Sequence, residues 1–347
     1  MKKKLLTLLT LCMLACSIVG CAQPTTSNPE NNTDKTTDTS VATQYPITLT
    51  DQAGREVIIE EEPEKLVSGY YISTSLLIAL DLDEKLVGIE AKGEKRPLYL
   101  NSAPQLTKLP TVGTAKEFDL EGCIALEPDL VILPLKLKNT AESFDKLGID
   151  VLYVNPENQT LLTEMMTLVG TATNVQENTK KLMDFTTKQE TMLTDKLADV
   201  DAPSVYLAGN SSMLSTAGSA MYQSSMITLA GGRNVAADIT DTYWAEIDYE
   251  QLLTWNPEYI ILASDATYTV DDVLADPNLK DCTAVKDGNV FQLPSDAESW
   301  DSPVPSGILG SVWLATILHE DVLSADDATA IINEYYETFY NFSYSEN

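Results

Sequence analysis

The sequence predicts an α/β fold of two lobes, each on a largely parallel sheet, joined by one long helix. Three observations carry this. Apolar runs of strand length alternate with helical stretches in both halves, the pattern of a parallel sheet with crossover helices. A short motif occurs twice. Its first copy is Ile124-Ala125-Leu126-Glu127-Pro128-Asp129-Leu130-Val131-Ile132-Leu133, and its second is Leu252-Leu253-Thr254-Trp255-Asn256-Pro257-Glu258-Tyr259-Ile260-Ile261-Leu262. Each reads as a helix end, a Pro-acid turn and a strand apolar throughout, which suits burial on both faces. Two copies about 130 residues apart indicate two lobes of similar build. Between them, residues 159–198 keep apolar side chains at helical spacing, with no proline or glycine after Gly170.

The elements follow in order. Ile47–Thr50 and Val57–Ile59 flank Asp51-Gln52-Ala53-Gly54-Arg55, a turn between two partly alternating strands, so a hairpin is expected. Leu66–Ser68 is a strand before a helix around Ser75–Leu80, and Leu86–Ile89, Val131–Leu133 and Val151–Val154 complete the first sheet. In the link, Leu161, Leu162, Met165, Met166, Leu168 and Val169 precede a second stretch through Leu182, Met183, Phe185, Met192 and Leu197. These positions keep no heptad, so a coiled coil is not expected. The second lobe opens with Ser204–Ala208, passes the Ala230-Gly231-Gly232-Arg233-Asn234 turn, and continues through strands Tyr259–Leu262 and Val290–Leu293. Helices near 306–318 and 325–341 close it. Pro303 and Pro305 set an extended path into the first of these, whose N-terminus is a potential anion site.

The first residues concern location. Lys2, Lys3 and Lys4 precede an apolar run from Leu5 to Val19, too short for a stable span and right for a secretion signal. The run ends Ile18-Val19-Gly20-Cys21, which resembles the lipobox of bacterial lipoprotein signals. That resemblance implies cleavage before Cys21 and a diacylglyceryl group on its thiol, with Met13-Leu14-Ala15-Cys16 as a weaker rival. Acyl chains contribute roughly 0.8 kcal/mol per buried methylene, so two or three anchor a soluble body. Residues 22–44 are Thr, Asn, Ser, Asp and Pro with almost nothing apolar, a composition that cannot offset chain entropy. They read as a tether spanning on the order of 25–30 Å. The expected organisation is signal 1–21, tether 22–44, first lobe 45–170, inter-lobe helix 171–200 and second lobe 201–347.

Composition excludes several function classes. A net charge of -30 repels nucleic acid and anionic lipid headgroups. Of five cysteines only Cys123 and Cys282 lie in the body, each beside an apolar run, so two buried free thiols are expected. The single histidine, His319, falls at a helix C-terminus, where a cation is stabilised. One histidine and no cysteine cluster exclude a zinc site of several nitrogen or sulfur ligands. No G-x-S-x-G elbow, P-loop or glycine-rich dinucleotide fingerprint is present, and no cofactor is implied.

Seven motifs then align in order with one family. ITLTDQAGREVIIEEEPEKLVS, LDEKLVGI, LPTVG, ALEPDLVI, AGGRNVAAD, YEQLLTWNPEYIIL and KDGNVFQLP resemble the substrate-binding proteins of ABC importers for iron-siderophores, haem and cobalamin, over residues 46–342. The resemblance implies two Rossmann-like α/β lobes joined by one long helix, the class III periplasmic-binding-protein fold. It implies lobes that move little and a ligand in the cleft between them. It also implies a permease and separate ATPase as partners, and a place on the outer face of the bacterial cytoplasmic membrane (the periplasmic side in a diderm).

Ligands of parallel sheets sit beyond the carboxyl ends of the strands, which selects the cleft candidates. From the first lobe come Gly69, Tyr70 and Tyr71, then Lys92 and Arg96, Gly113 and Thr114, and Leu135 and Lys136. From the second come Gly209 and Asn210, Tyr222, Tyr243 and Trp244, Ser264 and Asp265, and Trp300 and Asp301. Aromatics would stack on a bulky ligand; Lys and Arg would pair with its anionic groups. The family often carries a permease-docking acid in each lobe. In SGYYISTSLLIAL that place falls on Ser75, a departure, while Glu250 in DYEQLL stands for the second.

The expected function is therefore capture of a metal chelate (ferric siderophore, haem or cobalamin) by a non-enzymatic lipoprotein that delivers it to the permease. The alternatives are an oxyanion such as molybdate or tungstate, a surface hydrolase using cleft carboxylates such as Asp265 and Asp301, and a structural lipoprotein with an inactive cleft.

Overall fold

The computed structural model describes residues 42–344. The lipidation site at Cys21, its rival Cys16, the signal and nearly all of the tether lie outside the described residues.

Strands β1 (Ile47–Thr50) and β2 (Glu56–Ile59) form the expected antiparallel hairpin, Ile47 opposite Ile59. Asp51 closes the turn by accepting from the Ala53 and Arg55 backbone N–H groups at 2.9 Å each. The first lobe is a parallel four-stranded sheet: β3 (Leu66–Ser68), β4 (Leu86–Gly88), β5 (Leu130–Pro134) and β6 (Asp150–Val154), in the order β4-β3-β5-β6. The second sheet holds β7 (Ser204–Ala208), β8 (Ser215–Ala217), β9 (Arg233–Asn234), β10 (Trp244–Glu246), β11 (Tyr259–Leu262) and β12 (Val290–Gln292). Its order is β10-β8-β7-β11-β12, with β9 beside β7. Here the sheet is mixed rather than parallel throughout, because β8 runs antiparallel to β7 and β10 antiparallel to β8.

The internal duplication is structural. Asp119 and Asp248 each cap a short helix, accepting from Gly122 N and Gln251 N at 2.8 Å. Glu127 and Asn256 then take left-handed backbone conformations, φ 50° and 44°, just before Pro128 and Pro257. The acids that follow pin the edge of the neighbouring strand. Asp129 accepts from Glu64 N and Lys65 N, and Glu258 from Ser204 N and Oγ. β5 and β11 follow at once, and side chains on both of their faces are buried, as their unbroken apolar sequences require.

The link is two helices, Gln159–Ala172 and Gln176–Lys196, broken where Asn174 turns left-handed at φ 60°. The 21-residue second helix is about 31 Å long at 1.5 Å per residue. Gly170 sits where the two helices cross, and a Cβ there would collide with Thr179. Leu182, Phe185 and Leu193 from this helix belong to one apolar cluster with Leu66 and Leu130 of the first lobe and Val205, Leu309 and Tyr335 of the second. Each large side chain so buried contributes about 1.5–3 kcal/mol. Behind the cleft the lobes thus share one core. Cys123 and Cys282 are free and buried on the outer layers of the two lobes. His319 caps the Ile308–Leu318 helix, its Nε2 3.2 Å from the Gly231 carbonyl.

Candidate functional site

The carboxyl ends of the two sheets face one seam, and strand order gives the seam two ends. At one end the loops after β4 and β12 meet: Leu98 N donates to Ala297 O at 3.1 Å. Glu90, 5 % exposed, collects three donors there: Thr74 Oγ1 at 2.6 Å, Tyr99 Oη at 2.7 Å and Arg96 Nε at 3.1 Å. The Arg96 guanidinium also lies 4.5 Å from the Tyr71 ring centre, a cation–π contact. Burial raises the pKa of the Tyr71 phenol. From the second lobe comes Glu298, half-buried, whose carboxyl desolvation pushes up to about 7.

At the other end the loop after β6 and residues following the antiparallel β8 line an open surface hollow of about 440 Å³: Asn158, Gln159, Thr160 and Leu161 and, across the seam, the exposed Ser219, Ala220 and Ser225. None of these side chains is charged or aromatic. Hydroxyls and amides dominate, and two helices begin at the lining. Asn158 caps Gln159–Ala172 through Leu161 N at 3.0 Å. Helix Tyr222–Leu229 has no side-chain cap. The open N–H groups and the dipole of such an end favour negative charge. A groove of about 570 Å³ continues from the hollow between Leu193–Ala198 and Ser224–Gly231.

Three expected ligand contacts do not reach the seam surface. Trp300 is 1 % exposed; its indole N–H donates to Tyr336 Oη at 2.8 Å and its ring packs on Tyr344, so it is core. Tyr222 is buried, its hydroxyl against Gly307. Asp301 is buried and accepts from the Ser264 hydroxyl and N–H, which pins the loop after β11 to the loop after β12. The other candidates keep access. Tyr70, Tyr71 and Arg96 are half-buried, and so is Thr114, whose hydroxyl already accepts from Lys116 N and Glu117 N. Lys92, Lys136, Asn210 and Asp265 are exposed. Tyr243 and Trp244 are exposed at 51 % and 37 %, with Trp244 lying over Gly209.

Ser75 is fully buried, which removes it from any docking surface. Glu250 is exposed in the first turn of its helix. By the duplication its counterpart is Glu121, two residues after Asp119 as Glu250 is two after Asp248, and Glu121 is exposed too. Sequence reading also missed the residues of the hollow and Glu298. Asn158 carried a signal as a cap residue before an apolar run; Ser219 and Ser225 carried none, being small polar residues in a loop and on a helix.

Two α/β lobes linked through the helix pair Gln159–Ala172 and Gln176–Lys196, with a ligand-sized hollow at the seam between them, define a substrate-binding protein of an ABC transporter. The Periplasmic binding protein family model matches residues 66–297, and the chain belongs to that family. Among its relatives is the molybdate-binding protein MolA of Haemophilus influenzae, 27 % identical over 323 residues, which cover 85 % of this chain and 91 % of MolA. A cobalamin-binding protein of Halobacterium salinarum is 23 % identical over 299 residues, covering 82 % and 78 %. Among solved structures, MolA bound to molybdate matches with a TM-score of 0.76 at 24 % identity, covering 87 % of this chain and all of MolA. Helicobacter pylori CeuE with Ni(II) bound matches at 0.74 and 19 %, covering 86 % and 97 %. MolA is the molybdate periplasmic binding protein of an ABC transporter. No helix among the described residues is long and apolar enough to cross a membrane.

Proposed function

We propose that the chain captures a small tetrahedral oxyanion of the molybdate class and delivers it to its permease. The carrying observation is the hollow at the open end of the seam: neutral donors on both walls, two helix N-termini, and no opposing carboxylate in the lining. Such a site holds an anion with directed N–H and O–H groups and discriminates by size and geometry. Similarity to MolA across most of both chains supports this reading. A metal chelate is the second reading, favoured by the exposed Tyr243 and Trp244 beside Gly209 and by the cobalamin-binding relative. In that reading Tyr70, Tyr71, Lys92, Arg96, Thr114, Lys136, Asn210, Trp244 and Asp265 supply contacts. The hydrolase reading has lost Asp301 to its bonds with Ser264.

We further propose lobes of 45–170 and 201–347 about the 171–200 link, a lipid anchor on Cys21, and Glu121 and Glu250 as the matched pair of acids that meets the permease. A thermal-shift panel of molybdate, tungstate, sulfate, cobalamin, haem and a ferric siderophore separates the ligand readings. Ligand at 100 times its Kd stabilises by about 2.7 kcal/mol. A shift with molybdate and tungstate alone supports the oxyanion; a shift with a chelate alone replaces it with the second reading.

A further inference from the structure

The break between the two link helices is closed by residues from far upstream in the sequence. The first helix, Gln159–Ala172, belongs with the first lobe: Gln52 Nε2 of the hairpin turn donates to its Leu161 carbonyl at 2.9 Å. The second, Gln176–Lys196, packs on the Tyr222–Leu229 and Ile308–Leu318 helices of the second lobe. The last carbonyls of a helix have no partners within it. Here the joint itself serves two of them, Thr173 N donating to Val169 O and Val175 N to Gly170 O, while Asn174 N reaches Thr171 O only at 3.4 Å. The segment before β1 completes the set. Thr43 Oγ1 donates to Thr171 O at 2.7 Å and Tyr45 Oη to Ala172 O at 2.9 Å. Thr43 Oγ1 also accepts from Gln176 Nε2, and Thr43 N donates to Asn174 Oδ1 at 2.8 Å. One threonine thus touches the end of the first helix, the turn, and the start of the second.

We propose that Thr43 and Tyr45 form a strap that fixes the angle between the two link helices and, through it, the relation of the two lobes. The helices cross closely where Gly170 meets Thr179, and two rods that touch at one crossing can rock about it. The strap ties them again at the neighbouring turn, which removes that freedom. A hydroxyl that donates to one helix and accepts from the other cannot be replaced by an apolar side chain of the same shape. Asn178 Nδ2, in the first turn of the second helix, also donates to Leu80 O of the first lobe at 3.0 Å, so releasing the strap loosens the joint without opening it. The strap lies outside the sheets and its bonds are part-buried, as in segments that open locally before the rest of a fold. Leu98 N reports on the lobes directly, because its bond to Ala297 O at 3.1 Å runs from one lobe to the other. The inference is independent of what the cleft binds.

The test is residue-resolved amide hydrogen exchange of the intact chain without ligand, in the wild type, Thr43→Val, Thr43→Ser and Tyr45→Phe. Thr43→Val and Tyr45→Phe should each speed exchange at Val175 and at Leu98 by about two- to tenfold, the range that one net hydrogen bond contributes. Leu100 N is the control: it bonds to Arg96 O within the short helix that carries Leu98, not across the lobes, and should not change. Thr43→Ser keeps the hydroxyl and should exchange as the wild type does. Faster exchange at Val175 with Leu98 unchanged would reduce the strap to a local helix cap and overturn the proposal. Wild-type exchange at Val175 in both Thr43→Val and Tyr45→Phe would overturn it as well, and so would equal speeding at Leu98 and Leu100. Should Thr43→Val fail to fold, Gln176→Leu removes the other half of the bridge and carries the same expectations.

Discussion

Ser75 Oγ and Tyr340 Oη, 265 residues apart in sequence, lie 2.9 Å apart and tie the first helix of one lobe to the last helix of the other. Both residues are buried, so neither hydroxyl has water as a substitute partner. A double-mutant cycle on Ser75→Ala and Tyr340→Phe should give a coupling of about 0.5–1.5 kcal/mol in urea unfolding. Additive losses would mean that the two helices are held by their apolar contacts alone.

Glu298 gives the stability a direction in pH. Its ordinary pKa of 4.5 rises to about 7 in the folded chain, so between these values the folded state binds more protons than the unfolded state. The stabilisation is complete below about 4.5 and is lost as pH rises through about 7. Glu298→Gln should therefore gain on the wild type as pH rises from 5 to 8, by at most about 3 kcal/mol. Chemical unfolding at several pH values checks this; a constant difference would contradict the shift.

Gly113 holds the turn before Thr114 at φ 83°, and a Cβ there would strike the Glu117 carbonyl oxygen. Gly113→Ala should destabilise by about 2–3 kcal/mol through strain and clash together, read as a lower urea midpoint. Gly148→Ala is the control. Its φ is 67° but its Cβ position is open, so only the conformational cost, about 1 kcal/mol, should appear.

Glu121 and Glu250 test the duplication as a docking device. Replacing both with Gln should leave ligand affinity unchanged and reduce uptake by cells several-fold, each single change giving part of the loss. Unaltered uptake in the double variant would show that the exposed acids are ordinary solvated helix charges, worth little energetically.

The strands that build the fold were legible because burial on both faces demands unbroken apolar sequence, as in Leu130–Leu133 and Tyr259–Leu262. β8 and β10 were not: Ser-Thr-Ala and Trp-Ala-Glu are three residues each, with no run and no turn signal. The start of the first helix at Tyr71 was hidden because Tyr70 makes no side-chain cap. Trp300 illustrates the limit of placing ligand contacts by strand ends. Its loop follows β12 as expected, but the side chain turns inward, where Tyr336 accepts from its indole N–H. The hollow was illegible for the opposite reason, since the small neutral residues that line it carry no chemistry visible in composition.

The central claim is that an anion is held between Asn158–Leu161 and Ser219–Ser225. Isothermal titration of molybdate into the wild type and into Ala220→Trp, an exposed position whose indole would fill the hollow, tests it most directly. The account predicts one site per chain in the wild type and at least tenfold weaker binding in the folded variant. Equal affinity in the two proteins would place the ligand elsewhere and contradict it.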